Sequence, residues 1–317
     1  MQFVFVQWIS AAMVNASYAL MMGVLAAQLW LRDTEDSDYQ TVHEKLRAAM
    51  GIGLVTGLAA TLLSLWQASA TMADVPLLQS GPTLWVMFAD TSYGHFGLVS
   101  LLILVLGGVL HFVLRPYDQS SLHRWAVLSV LEAFAICRVA TGHASENGLL
   151  SVAPVAELIH VLSMALWFGS VIVAAWIVIP TSSMTALPSG IGPYLKSLSS
   201  SATVALAAVL ATGIYNAIRV LNKPAELGTT EYGWVLTTKL CFVGIAIALG
   251  AWNRFSGFPA VEAAASQPAT EQNALRVITS ILRAESIALV IVLLAAVVLT
   301  ANAPPSSNDA SEAATQQ

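Results

Sequence analysis

Residues 140–173 read ATGHASENGLLSVAPVAELIHVLSMALWFGSVIV. His143 and His160 flank a short polar link, and from Pro154 the chain turns apolar as far as residue 179. Proline is favoured in the first turn of a helix, where its missing N–H has no partner to lose. A run of this length is enough to cross roughly 30 Å of hydrocarbon, which takes about 20 residues. An ionisable group inside such a run is expensive and therefore a functional candidate. His160, about six residues into the helix, lies roughly 9 Å along its axis.

The remainder of the chain has the same character. Of 317 residues, 57% are hydrophobic and only 10% charged, against about 25% charged in a soluble domain. Eight runs are long and apolar enough to span, near residues 3–30, 47–69, 94–114, 122–141, 154–179, 200–221, 233–252 and 278–300. In lipid, such runs become helices because only a helix or a closed barrel satisfies its own backbone polar groups. The expected fold is all-α, a polytopic membrane protein of eight transmembrane helices. The first run has no basic segment ahead of it and is too long for a signal peptide's apolar core, so it reads as a retained span.

Arg32, Lys45, Arg47, Arg115, Arg124, Lys196, Arg254, Arg276 and Arg283 fall in or beside the links after spans one, three, five and seven. The opposite side and its flanks carry Arg138, Arg219, Lys223 and Lys239. Nine against four places the odd-numbered links in the cytoplasm and both termini in the periplasm. So few basic residues leave no electrostatic footprint for nucleic acid. Cys137 and Cys241 form no CxxC pair and imply no disulfide framework or zinc site.

The spans fall into two sets of four. TSYG from Thr91 echoes TEYG from Thr230, YALMMGVLAAQLW in span one resembles MALWFGSVIVAAW in span five, and VTGLAATL in span two resembles ATGIYNAI in span six. Four helices per unit predict two parallel repeats: residues 1–141, residues 142–301, and a tail, 302–317, too polar to bury anything and expected to be disordered in the periplasm. Between spans, residues 180–198 and 256–275 read as connections.

The histidines carry the chemistry. His95 at the external end of span three, His143 in the external link and His160 in span five occupy one layer of the membrane. His111, His43 and His123 lie toward the cytoplasm. Met164 is one turn from His160 on the same face. Imidazole with thioether suits copper, and soft sulfur selects Cu(I), so His143, His160, His95 and Met164 are the candidate metal ligands. The alternative for His160 is a helix–helix hydrogen bond, for Met164 core packing, and for His143 plain solvation. Glu157, Asp90 and Glu146 are external acceptors able to orient histidines. Glu132, Lys239 and Glu285 are in-span charges in need of partners. No nucleophile–base set, phosphate-binding glycine loop or HExxH occurs, so an enzyme is not expected.

The ordered set TGHA, ELIHVLSMALWFGS, ATGIYNA, EYGWVLTTKLCFVGIAIALGAWNRF and ILRAESIALVIVLLAAVVLTANAPP resembles the bacterial copper resistance protein D family, most closely over residues 140–305. The resemblance implies an inner-membrane protein of copper homeostasis. Such a protein moves copper ions from periplasm to cytoplasm alongside a periplasmic copper-binding protein of the CopC type. It points to His143 of TGHA and to His160, Trp167 and Gly169 of HVLSMALWFG. Ser170 stands where relatives often have a second glycine. Two other readings fit the same residues: a haem-binding electron-transfer protein with His95 and His160 as axial ligands, and a copper-binding module without transport.

Overall fold

The computed structural model describes residues 2–31, 40–114, 120–142, 148, 150–182, 191–220, 226–264 and 267–301, and among them there is no strand. In chain order the helices are α1 (Gln2–Trp30), α2 (Gln40–Ala73), α3 (Gly81–Asp90), α4 (Ser92–Gly108), α5 (Ser121–Ala140) and α6 (Val152–Val173). They continue with α7 (Ile179–Ser182), α8 (Ile191–Val220), α9 (Glu226–Thr229), α10 (Glu231–Trp252), α11 (Phe258–Ala264) and α12 (Pro268–Ala301). Seven stretches are long and apolar enough to cross a bilayer: those built on α1, α2, α4, α6, α8, α10 and α12. The expected fourth span is α5, whose 20 residues carry Arg124, Glu132 and Arg138, and it falls outside that set.

Two connections expected from composition are partly helical. Helix α6 passes through a π-helical turn, Ala174–Val178, into α7, so the chain stays helical through Pro180. A π turn absorbs the N–H that proline lacks and widens the backbone ahead of its ring. The same device joins α10 to α11 through Asn253–Gly257, with Pro259 following. Helix α8 begins at Ile191 and α12 at Pro268, which takes residues 191–198 and 268–275 out of the expected links. The 302–317 tail lies outside the described residues.

Helices α1 and α6 form the centre. Each packs on the other and on α12; α1 also carries α2, and α6 carries α8 and α5. Their crossing is set by Gly23 and Gly169. A Cβ on Gly169 would fall on the carbonyl of Ala19, and one on Gly23 would fall on the backbone of Gly169. Without a hydrophobic force between helices in lipid, close backbone approach through small residues is what holds such pairs. Around this contact Val24, Val173, Ala174, Ala175 and Met21 are buried.

At one end of the bundle the polar contacts are mutual. Lys45 Nζ donates to Thr181 Oγ1 at 3.1 Å, the Trp30 and Tyr194 rings meet edge-on at 5.9 Å, and Arg254 Nη1 donates to Ser199 Oγ at 2.9 Å and Thr203 Oγ1 at 2.7 Å. Helix starts are capped by the same device twice. Thr91 Oγ1 accepts from Gly94 N and Thr230 Oγ1 from Gly233 N, each satisfying a helix N–H that has no intrahelical partner.

Candidate metal centre

His160 projects from α6 toward α8, half-buried, with its Nδ1 2.9 Å from Thr212 Oγ1. The threonine hydroxyl has one hydrogen, and it goes to the Ala208 carbonyl at 2.6 Å. Toward the imidazole Thr212 is therefore an acceptor, and Nδ1 carries the hydrogen. That tautomer leaves the lone pair on Nε2. A ligating histidine characteristically donates its other N–H to a fixed acceptor, which holds the ring and raises its basicity.

One turn away on each helix is a second rung. Asn216 Nδ2 donates to Glu157 Oε2 at 2.8 Å, so α6 and α8 are tied by His160–Thr212 and Glu157–Asn216. Glu157 also stands within electrostatic range of Lys239 on α10 and of Arg138 on α5. Arg138 in turn donates from Nη2 to Asn15 Oδ1 on α1 at 3.1 Å. A belt of polar side chains from α1, α5, α6, α8 and α10 thus surrounds the helix carrying the histidine.

The other expected ligands take different positions. His143 lies outside the described residues, as does Glu146. His95 is exposed at the start of α4, its Nε2 3.0 Å from the Ala89 carbonyl of the preceding turn. Met164 is packed against the apolar core between the central helices. Met13 and Met72 are exposed. Cys137 is buried, Cys241 exposed, and both are free. Among the described residues, no group of three or more His, Cys, Asp or Glu side chains is arranged to hold a metal ion.

The in-span charges find partners that the sequence did not name. Glu285 accepts from the Trp167 indole N–H at 3.1 Å rather than pairing with Arg283. Arg283 lies 4.7 Å over the Trp176 ring and reaches the Ala175 carbonyl. Arg219 stacks over Tyr215. Glu132 is exposed on α5. Thr212 and Asn216, which orient the site, were visible in ATGIYNA as two polar residues four apart, hence on one helix face. The same holds for Glu157 and His160, three apart.

The family description Copper resistance protein D matches residues 193–299, and the description Copper resistance protein D-like, N-terminal domain matches residues 3–152. Neither the curated proteins nor the solved structures contain a match.

Proposed function

The chain belongs to the copper resistance protein D family, and from that membership we propose that it carries copper ions across the bacterial inner membrane, from periplasm to cytoplasm. Membership itself makes it a multi-pass membrane protein of copper resistance and homeostasis. The observation that carries the transport reading is the contact of His160 Nδ1 with Thr212 Oγ1. Because the Thr212 hydrogen goes to the Ala208 carbonyl, the imidazole donates from Nδ1, and the tautomer leaves the lone pair on Nε2. A cation entering the membrane needs a donor of this kind to replace water. In the proposed route copper arrives from a periplasmic copper-binding protein of the CopC type and is held by His143 and His160. Met164 or His95 is the further ligand. Copper uptake into proteoliposomes tests this: wild type fills the vesicles, and the His143/His160 double alanine variant does not. Equal uptake by both overturns it.

The eight-span topology, with α5 as the eighth span and both termini periplasmic, belongs to the same proposal. Its support is the set of contacts Lys45–Thr181 and Arg254–Ser199, which gather three of the basic links at one end of the bundle. A reporter enzyme fused after residue 317 is expected to be active only in its periplasmic form, and one fused near Ser256 only in its cytoplasmic form. The reverse pattern contradicts the charge argument.

The two parallel repeats, 1–141 and 142–301, are supported by reciprocity. Under the matching of YALMMG with MALWFG, Gly23 corresponds to Gly169 and Ala19 to Ala165, and the two corresponding glycines are what meet. A twofold relation requires that kind of self-paired contact. Thr91 and Thr230 cap corresponding helices identically.

Lys239 lies close enough to act electrostatically on His160. Its positive charge opposes a copper ion bound there. Lys239→Gln is therefore expected to tighten copper binding, read by competition with a chromogenic chelator on purified protein. Unchanged or weaker binding argues against copper at His160.

A further inference from the structure

The bundle contains a second buried polar site, well removed from the His160 layer. Glu285 on α12 is 2% exposed. Its Oε1 accepts from Trp167 Nε1 of α6. Gly250 of α10 faces it so closely that a Cβ there would come within 3.2 Å of Oε1; the glycine leaves just the room a carboxyl needs. Asn253, one turn on and 1% exposed, lies beside the same carboxyl, with its Oδ1 turned to Gly257.

Among the described residues, no cation compensates this carboxyl. On α12 itself, Arg283 is turned to the Trp176 ring and the Ala175 carbonyl. On the π turn after α10, Arg254 is held by Ser199 and Thr203. Helix α1 has no charged or histidine residue in Gln2–Trp30, and α7 has none. The charged and histidine residues of α6, Glu157 and His160, are two turns or more from Trp167 and engaged with α8. Lys239 of α10 lies nearly four turns from Asn253, in range of Glu157. On α11, Glu262 is exposed. An ionised carboxylate taken out of water without a counter-charge is strongly disfavoured, and such groups neutralise instead. A neutral carboxyl fits the partners present: its carbonyl oxygen accepts from the Trp167 N–H and needs no counter-charge.

We propose that Glu285 is a proton-binding site in the bundle, distinct from the metal ligands, which holds its proton while α6, α10 and α12 enclose it and releases it when those helices part and admit water. The reaction is simple uptake of H⁺ by a carboxylate from the aqueous side to which it is open. Coupling of that proton to copper movement rests on the transport reading; the protonation itself does not.

Infrared spectroscopy of the purified protein at neutral pH separates the two. The difference between wild type and Glu285→Gln is expected to show loss of a carboxylic acid C=O band. Glutamine keeps the shape and accepts the same indole bond, so the variant is expected to fold. Trp167→Phe retains the acid and removes one hydrogen bond to it, which shifts the C=O band to higher frequency and gives a reading independent of the first variant. Loss of carboxylate bands instead in Glu285→Gln, or a C=O region unmoved by Trp167→Phe, overturns the site. In proteoliposomes, an imposed pH gradient is expected to change the copper uptake rate of wild type and to lose that effect in Glu285→Gln; an unchanged gradient response in the variant overturns the coupling. If wild type takes up no copper at all, the transport reading and the coupling fail together, and the infrared band still decides the proton site.

Discussion

Replacing His160 with alanine is expected to lower the copper affinity of the purified protein by more than a hundredfold while leaving the protein folded in the membrane. The estimate follows from ligation: partners that merely orient a ligand typically cost about 10–100-fold when removed, and the ligand itself costs more. Thr212→Val supplies the graded control. Valine matches the shape but gives Nδ1–H no acceptor, so roughly a tenfold loss is expected. The two variants together distinguish ligation from a helix–helix hydrogen bond. If His160 only tied α6 to α8, Thr212→Val would loosen the protein as much as His160→Ala and neither would change copper binding. His123→Ala, on the helix end assigned to the cytoplasm, is expected to leave copper binding unchanged. Chelator competition reads the affinities and thermal unfolding reads the fold. Equal copper binding by wild type and the His143/His160 double variant would remove the site assignment altogether.

The second large effect concerns the fold. Gly169→Val is expected to prevent the native bundle from forming, and Gly23→Val to do the same. Overpacking of a side-chain core costs about 1–3 kcal/mol because neighbouring side chains can shift. At Gly169 the obstruction is the Ala19 carbonyl, and at Gly23 the backbone of Gly169. Relief would require α1 and α6 to separate, and with them the buried cluster of Met21, Val24, Val173 and Ala174. Gly192, whose added Cβ would meet nothing, is the matched control: Gly192→Ala is expected to behave as wild type. Size-exclusion profiles and thermal unfolding in detergent read the outcome. A wild-type melting temperature for Gly169→Val would show that the two helices do not cross where described.

Residues 154–179 were readable as a helix because a run that long and apolar has no other way to satisfy its backbone in lipid. The same argument located seven of the long helices; it also read residues 122–141 as a span, and α5, with Arg124, Glu132 and Arg138, falls outside the set long and apolar enough to cross. The histidine was readable as a site because an ionisable group in such a run has a cost that function must offset. Periodicity put Met164 one turn beyond His160, and there it is, half-buried against the apolar core; spacing along a helix fixes a face but not what that face meets.

The length and polarity of each segment were enough to make this chain a bundle of membrane helices, since hydrogen bonding within a helix is local, four residues at a time. Partnership is not local. His160 finds Thr212 across 52 residues and Trp167 finds Glu285 across 118. Gly169 is indispensable only because Ala19 and Gly23 arrive opposite it. Which nitrogen of His160 keeps its lone pair, and which carboxyl is left without a counter-charge, depends on helix crossings, and those crossings exist only once the tertiary fold has brought distant segments into contact.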